Sequence, residues 1–163
     1  EVDGGTSPLI DARVLDAFAG SGALGIEALS RGAAHATFLD NDATAVRLIG
    51  DNLRKLGETA AAKVIRADAT RPPPSRESCD LVFLDPPYVL WDEEASRERL
   101  LDLVARCRAN MKDASFLVLR TPTDIPADFP GVPGFDGPET HPYAEDMYVH
   151  LFAPTRDDDA ADA

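Results

Sequence analysis

The sequence predicts an α/β domain: a mainly parallel, twisted sheet whose final strand runs antiparallel. Three observations carry that prediction. Short apolar runs of strand length alternate with longer stretches whose apolar residues recur at helical spacing. One run leads straight into the glycine-rich turn Gly20-Ser21-Gly22-Ala23-Leu24-Gly25 and then into good helix formers. Another, Leu81 to Leu84, stops at Asp85-Pro86-Pro87-Tyr88. Proline lacks a backbone N–H and holds the preceding residue extended, so that strand must end there.

Taken in order, Arg13 to Phe18 is the first strand, and Ile26 to Arg31 lies in the first helix, stopped by Gly32. Ala36 to Leu39 is a second strand ending at Asp40. Asp42 is placed to cap the next helix, whose inner stripe is Ala45, Leu48, Ile49, Leu53 and Leu56, with Gly57 as its end. Lys63 to Arg66 is a third strand leading to Asp68, and a loop with Pro72-Pro73-Pro74 separates it from the fourth. A helix beginning at Asp92 or Glu93 and reaching about Asn110 presents Leu100, Leu101, Val104 and Cys107 inward. Ser115 to Leu119 is a fifth strand. Thr121 to Pro142, dense in proline and glycine, reads mainly as loop, and Met147 to Phe152 as a final edge strand. Strands alternating with helices give a sheet covered on both faces.

Length and composition set the bounds. A chain of 163 residues suits one domain, and 44% hydrophobic with 28% charged residues is ordinary for a globular protein. No apolar run approaches the roughly 20 residues of a membrane helix. No basic-then-apolar signal peptide opens the chain. Cys79 and Cys107 read as buried thiols, not as a disulfide or metal pair, and the three histidines show no metal-ligand spacing. No metal site and a cytoplasmic location are therefore expected. The net charge of −13 weighs against strong nucleic-acid affinity, because phosphate binding draws on basic surfaces.

Gly20, Gly22 and Gly25 form a G-x-G-x-x-G between a strand and a helix, with Asp40 about 20 residues beyond the first glycine. Gly20 and Gly22 let the backbone pass close under a ligand, and Gly25 lets the helix pack against the strand. Asp40 is placed to accept from a ribose diol, and Asp68 from an adenine amine. Asp16, just before the glycines, would repel a pyrophosphate but suits a cationic ligand. Acids on three successive strand tips favour S-adenosylmethionine, with its ammonium and sulfonium, over a dinucleotide. In an open α/β sheet ligands bind at the carboxyl ends of strands. Asp85-Pro86-Pro87-Tyr88 sits at that edge, where it can grip a planar, amine-bearing ring.

The stretch from Val14 through Asp16, Gly20, Gly22 and Gly25 to Ala33, together with Asp85-Pro86-Pro87-Tyr88, resembles the bacterial RsmD family, the guanine-N2 methyltransferases of small-subunit ribosomal RNA. The likeness runs from about Arg13 to Leu90 and continues more weakly to Tyr143–Tyr148. It implies a Rossmann-like class I S-adenosylmethionine-dependent methyltransferase fold. It also implies that Asp16 and the glycine turn hold the methionine end of the cofactor, Asp40 its ribose and Asp68 its adenine. Asp85, Pro86, Pro87 and Tyr88 would hold the target base, and ribosomal RNA or the small ribosomal subunit would be the partner, without a membrane or a metal. The methyltransferase domain is expected over residues 13–154. Residues 1–12 are read as a flexible leader lacking the basic segment of the family, and residues 155–163 as an acidic disordered tail.

The chemistry expected of the corner is amine methylation. Hydrogen bonds from an exocyclic amine to the Asp85 carboxylate and the Pro86 carbonyl would draw its nitrogen towards tetrahedral form, with Tyr88 stacked on the base. Trp91 is either a second stacking candidate or a core or rim residue, and His141 a residue able to approach the site. His35 is read as structural and His150 as solvent-facing. Arg97, Arg99, Arg106 and Arg108 are assigned to a solvated helix face, and Arg71 and Arg76 are the better phosphate candidates. The alternatives are a DNA amine methyltransferase acting on adenine N6 or cytosine N4, and a non-catalytic binding module of the same fold.

Overall fold

The computed structural model describes residues 7–126 and 129–155. Half of the expected leader, residues 1–6, and the acidic tail from 156 onward lie outside the described residues.

Seven strands form one sheet in the order β3-β2-β1-β4-β5-β7-β6. They are β1 (Arg13–Ala17), β2 (His35–Asp40), β3 (Ala62–Arg66), β4 (Cys79–Leu84), β5 (Met111–Thr121), β6 (Phe135–Ala144) and β7 (Met147–Pro154). The first five are parallel, whereas β7 runs antiparallel to both β5 and β6. Helix α1 (Ala23–Ser30) follows β1 and α2 (Ala43–Leu56) follows β2, while α3 (Val89–Asp92) and α4 (Glu94–Cys107) lie between β4 and β5.

Alternation along the strands divides the core. Val14, Phe38, Ile49, Leu53, Ala28 and Leu29 pack together on the face carrying α1 and α2. Leu39, Val82, Leu84, Leu117 and Leu119 point the other way, onto Leu100, Leu103 and Val104 of α4. The first helices end as predicted: the Asp42 carboxylate accepts from the Thr44 N–H at 2.8 Å, and Gly57 closes α2 at φ 75°.

The inner stripes are narrower or rotated. In α2 only Ile49 and Leu53 are buried, whereas Leu48 and Leu56 face solvent. In α4 Leu103, not Leu101, joins Leu100, Val104 and Cys107. The chain also turns helical earlier than expected, in the single turn of α3 directly after Tyr88.

The larger correction lies near the C-terminus. Residues 135–142, expected as loop, lie in β6, and β6 rather than β7 is the edge. Pro138 and Pro142 are tolerated because an edge strand pairs on one side only. That change inverts His150. Expected to face solvent, it is fully buried between β5 and β6. Its Nε2 lies 2.7 Å from Thr121 Oγ1 and its Nδ1 2.9 Å from Thr140 Oγ1. Thr121 Oγ1 donates to the Thr123 carbonyl, so the His150 Nε2–H donates to Thr121 and Nδ1 accepts from Thr140. Burial holds the His150 pKa below its ordinary value, in keeping with that neutral form.

Candidate active site

A cavity of about 610 Å³ opens at the carboxyl ends of the parallel strands. Each strand tip contributes to it: Phe18 and Gly20 after β1, Asp40 at the end of β2, Asp68 to Arg71 after β3, Asp85 to Tyr88 after β4, and Arg120 on β5. Ser96, Arg99 and Leu100 of α4 close one side.

The turn after β1 reverses the chain in three left-handed steps, Phe18 at φ 60°, Gly20 at 56° and Gly22 at 80°. Glycine adopts such values freely, but Phe18 does so at a cost of order 1–3 kcal/mol. At Gly20 a Cβ would meet no atom within 4 Å, so its bare backbone faces open cleft. The Gly20 N–H donates to Asp40 Oδ2 at 2.8 Å, and Asp40 Oδ1 accepts from the Asp42 N–H at 2.9 Å. These bonds fix the Asp40 carboxylate while leaving acceptor capacity on both oxygens.

Asp16 is placed differently from the other acids. It sits one residue before the end of β1, is 1% exposed, and is not among the cavity-lining residues. Its Oδ2 accepts the Gly25 N–H at 2.9 Å, one of the donors that the first turn of α1 leaves free. Burial pushes the Asp16 carboxyl up to about 7; the Gly25 bond opposes this, and the nearby Asp85 and Asp40 carboxylates add to it. Asp68 stands in contrast. Exposed, with Thr70 donating from both N–H and Oγ1, its carboxyl is held below the usual range by those bonds.

At the end of β4, Asp85 is half-buried, Pro86 buried, Pro87 exposed and Tyr88 half-buried. The Pro87 and Tyr88 carbonyls accept from the Leu90 and Trp91 N–H groups, so the corner runs directly into α3. Asp85 Oδ1 accepts from Arg120 Nε at 2.6 Å. Burial raises the Asp85 pKa, and the Arg120 cation and its hydrogen bond counter that rise. Arg120 escaped the sequence reading because it looks like the polar end of an apolar strand. Its signal was position: the residue just past Leu119 of β5, which pairs with Leu84 of β4, must emerge beside Asp85. Phe18 also escaped notice, since nothing in a sequence marks a left-handed phenylalanine.

The structure decides between the two roles left open for Trp91 and corrects several other expectations. Trp91 is 3% exposed and packs into the core, its Nε1–H donating to Thr123 Oγ1 at 2.9 Å, so it offers no stacking face. His141 lies on the outer strand β6, 2.9 Å from the Glu139 carboxylate, and does not line the cavity. Arg99 and Arg71 line the cavity while Arg76 does not, so the divided assignment of the arginines is redrawn. Arg97 lies over the Trp91 ring, and Arg106 and Arg108 pair with Asp102 and Asp113. His35 begins β2, as expected. Among the described residues no three His, Cys, Asp or Glu side chains gather as metal ligands, and no helix is long and apolar enough to cross a membrane.

Strand order, antiparallel β7 and a cleft of strand-tip acids together define a class I methyltransferase fold. Comparison with known proteins agrees. A Streptococcus pyogenes structure described as a conserved hypothetical protein superposes with a TM-score of 0.74 at 26% identity, covering 88% of this chain and 86% of that one. The crystal structure of TrmN from Thermus thermophilus superposes at 0.72 with 23% identity over 90% of this chain and 45% of that one, a likeness of fold alone. The family described as Conserved hypothetical protein 95 matches residues 6–130. The chain belongs to that family, the RsmD family. The Haemophilus influenzae protein named ribosomal RNA small subunit methyltransferase D is 45% identical over 78 residues, 45% of this chain and 40% of that protein. Its Escherichia coli namesake is 41% identical over 81 residues, 49% of this chain and 40% of that protein. The matched region thus spans well under two thirds of those relatives.

Proposed function

We propose that the chain carries the catalytic domain of an S-adenosylmethionine-dependent methyltransferase acting on the exocyclic N2 amine of a guanine in small-subunit ribosomal RNA. The observation that carries this reading is the single cleft that places Asp85-Pro86-Pro87-Tyr88 alongside Gly20, Asp40 and Asp68. Family membership and the names of the two relatives supply the RNA class.

The cleft fits the cofactor on chemical grounds. Gly20 offers a bare backbone to a close ligand, Asp40 two carboxylate oxygens for a ribose diol, and Asp68 an ionised acceptor for an adenine amine. Asp16, behind the glycine turn, contributes negative potential towards a cationic methionine end. When bound, S-adenosylmethionine would supply an electrophilic methyl carbon carried on a sulfonium leaving group.

The residues of the corner then set the geometry. Asp85 and the Pro86 carbonyl accept the two amine N–H bonds and so draw the nitrogen lone pair out of conjugation with the ring. Tyr88 stacks on the base, contributing about 1–3 kcal/mol. Pro86 and Pro87 hold the backbone rigid, so the acceptors are oriented before the substrate arrives.

Transfer of labelled methyl to unmodified small-subunit RNA or assembled subunits, lost in Asp85→Ala with cofactor binding retained, tests the reading. Cofactor binding with no transfer to any RNA, including by a chain extended to the full length of its relatives, rejects it. Methyl incorporation into DNA rather than RNA would favour the DNA amine alternative.

A further inference from the structure

We infer that Arg120 is a positioning residue for methyl transfer, aligning the Asp85 carboxylate so that its second oxygen is kept for the target amine. The inference deepens the proposed function and rests on it for the identity of that amine.

The geometry follows from strand register. Leu84 of β4 pairs with Leu119 of β5 in parallel, and both side chains enter the core on the α4 face. The next residue on each strand therefore points to the opposite face, which sets Asp85 and Arg120 side by side at the cleft. Arg120 Nε donates to Asp85 Oδ1 at 2.6 Å, and among the described residues no other side chain or backbone donor is bonded to this carboxylate. A single bond through Nε occupies one oxygen and leaves Oδ2 as the acceptor for an amine N–H.

Charge gives Arg120 a second task. Asp85 interacts with the buried Asp16 carboxylate of β1, which in turn interacts with Asp40 at the tip of β2. Asp68, Arg71, Tyr88 and Arg99 line the same cavity, but Arg120 is the cation bonded to Asp85. Burial favours a protonated Asp85, which would present an O–H donor where the amine needs an acceptor. Arg120 opposes that effect and favours the ionised carboxylate, so that Asp85 orients the amine while the proton lost on methylation passes on to water.

The test uses Arg120→Gln and Arg120→Lys. Asp85 is followed by its side-chain carboxyl carbon resonance across pH in the free protein, with Asp85→Asn as the assignment control. The expected result is that Arg120→Gln titrates Asp85 at higher pH than wild type and moves the acid limb of kcat in the same direction. The loss of transfer to a small-subunit RNA transcript should be roughly tenfold larger on the acid limb than on the alkaline plateau. Arg120→Lys keeps the cation but not the Nε bond, so kcat should fall with little change in KM, while Asp85 titrates near its wild-type pH. An unmoved Asp85 titration in Arg120→Gln, or a loss equal at every pH, overturns the inference. If Arg120→Gln does not fold, Arg120→Lys decides, and a wild-type kcat in that variant overturns it. A wild-type protein inactive on RNA would reject the proposed substrate, while the Asp85 titrations would still decide the part played by Arg120.

Discussion

Phe38 of β2 occupies the space that a side chain on Gly25 of α1 would need: a Cβ there would stand 2.4 Å from Phe38 Cε1 and 2.8 Å from Cζ. Phe38 is fully buried and cannot swing aside. Gly25→Ala is therefore expected to cost about 1–3 kcal/mol through overpacking, measured by urea denaturation. Phe38→Leu in the same chain should recover part of that loss. If Gly25→Ala has wild-type stability, the close approach of α1 to β2 is not as described.

Asp16 should make stability depend on pH. Its carboxyl titrates at about 7 in the fold against an ordinary 3.8, so between those values the folded protein holds a proton that the unfolded chain has released. Stability contributed at this site therefore falls as pH rises from about 4 to about 7, and stays low above that. Asp16→Asn, which retains an acceptor for the Gly25 N–H, should remove the slope. Relative to this variant, wild type is expected to lose a few kcal/mol across the window, read from denaturation at each pH. Parallel curves for the two proteins would contradict the assignment.

The same group offers a test of cofactor charge. A cation bound near Asp16 favours its ionised form, so S-adenosylmethionine binding near pH 7, where this carboxyl is about half protonated, should release up to about half a proton. Calorimetric titration in buffers of different ionisation enthalpy measures that number directly. Asp16→Asn should bind more weakly and release less. Equal proton release from both proteins would move the cationic end of the cofactor away from Asp16.

Tyr88 can be separated into ring and hydroxyl. Tyr88→Ala is expected to weaken RNA binding by about 5- to 150-fold, the range of one lost base stack, whereas Tyr88→Phe should bind nearly as wild type. Binding of a small-subunit RNA transcript by filter assay compares them. A Phe variant as poor as the Ala variant would point to the hydroxyl instead.

His150 acts on stability in the opposite pH direction to Asp16. Burial lowers its pKa below the ordinary 6.5, so under acid conditions the unfolded chain takes up a proton that the fold resists. Its contribution is present above about 6.5 and is lost as pH falls below that value. His150→Leu removes the Thr140 partner and should cost about 1–3 kcal/mol at neutral pH. The cost should shrink in acid, as thermal melts at both conditions would show.

Much of the fold was legible in the chain because local rules and tertiary demands agree there. β1, the glycine turn and α1 follow one another as backbone chemistry dictates, and Asp42 and Gly57 bound α2 by capping alone. Strand β6 was not legible, since proline and glycine mark a loop wherever the partner strand is unknown. His150 was misplaced, and Trp91 left between core and stacking roles, for a related reason. Aromatic and titratable side chains suit a core or a surface equally until their hydrogen-bond partners, Thr123 and the Thr121–Thr140 pair, are in place.

The sequence by itself determined the parallel sheet, the acids expected along one of its edges and the corner Asp85-Pro86-Pro87-Tyr88, because each follows from residues adjacent in the chain. Tertiary structure decided which of those acids face the cleft. Asp40, Asp68 and Asp85 line it, whereas Asp16 turns inward to cap α1. It also brought Arg120 to Asp85 across 35 residues of chain. Strand register sets that meeting, and register depends on how two faces of the sheet bury their apolar side chains together.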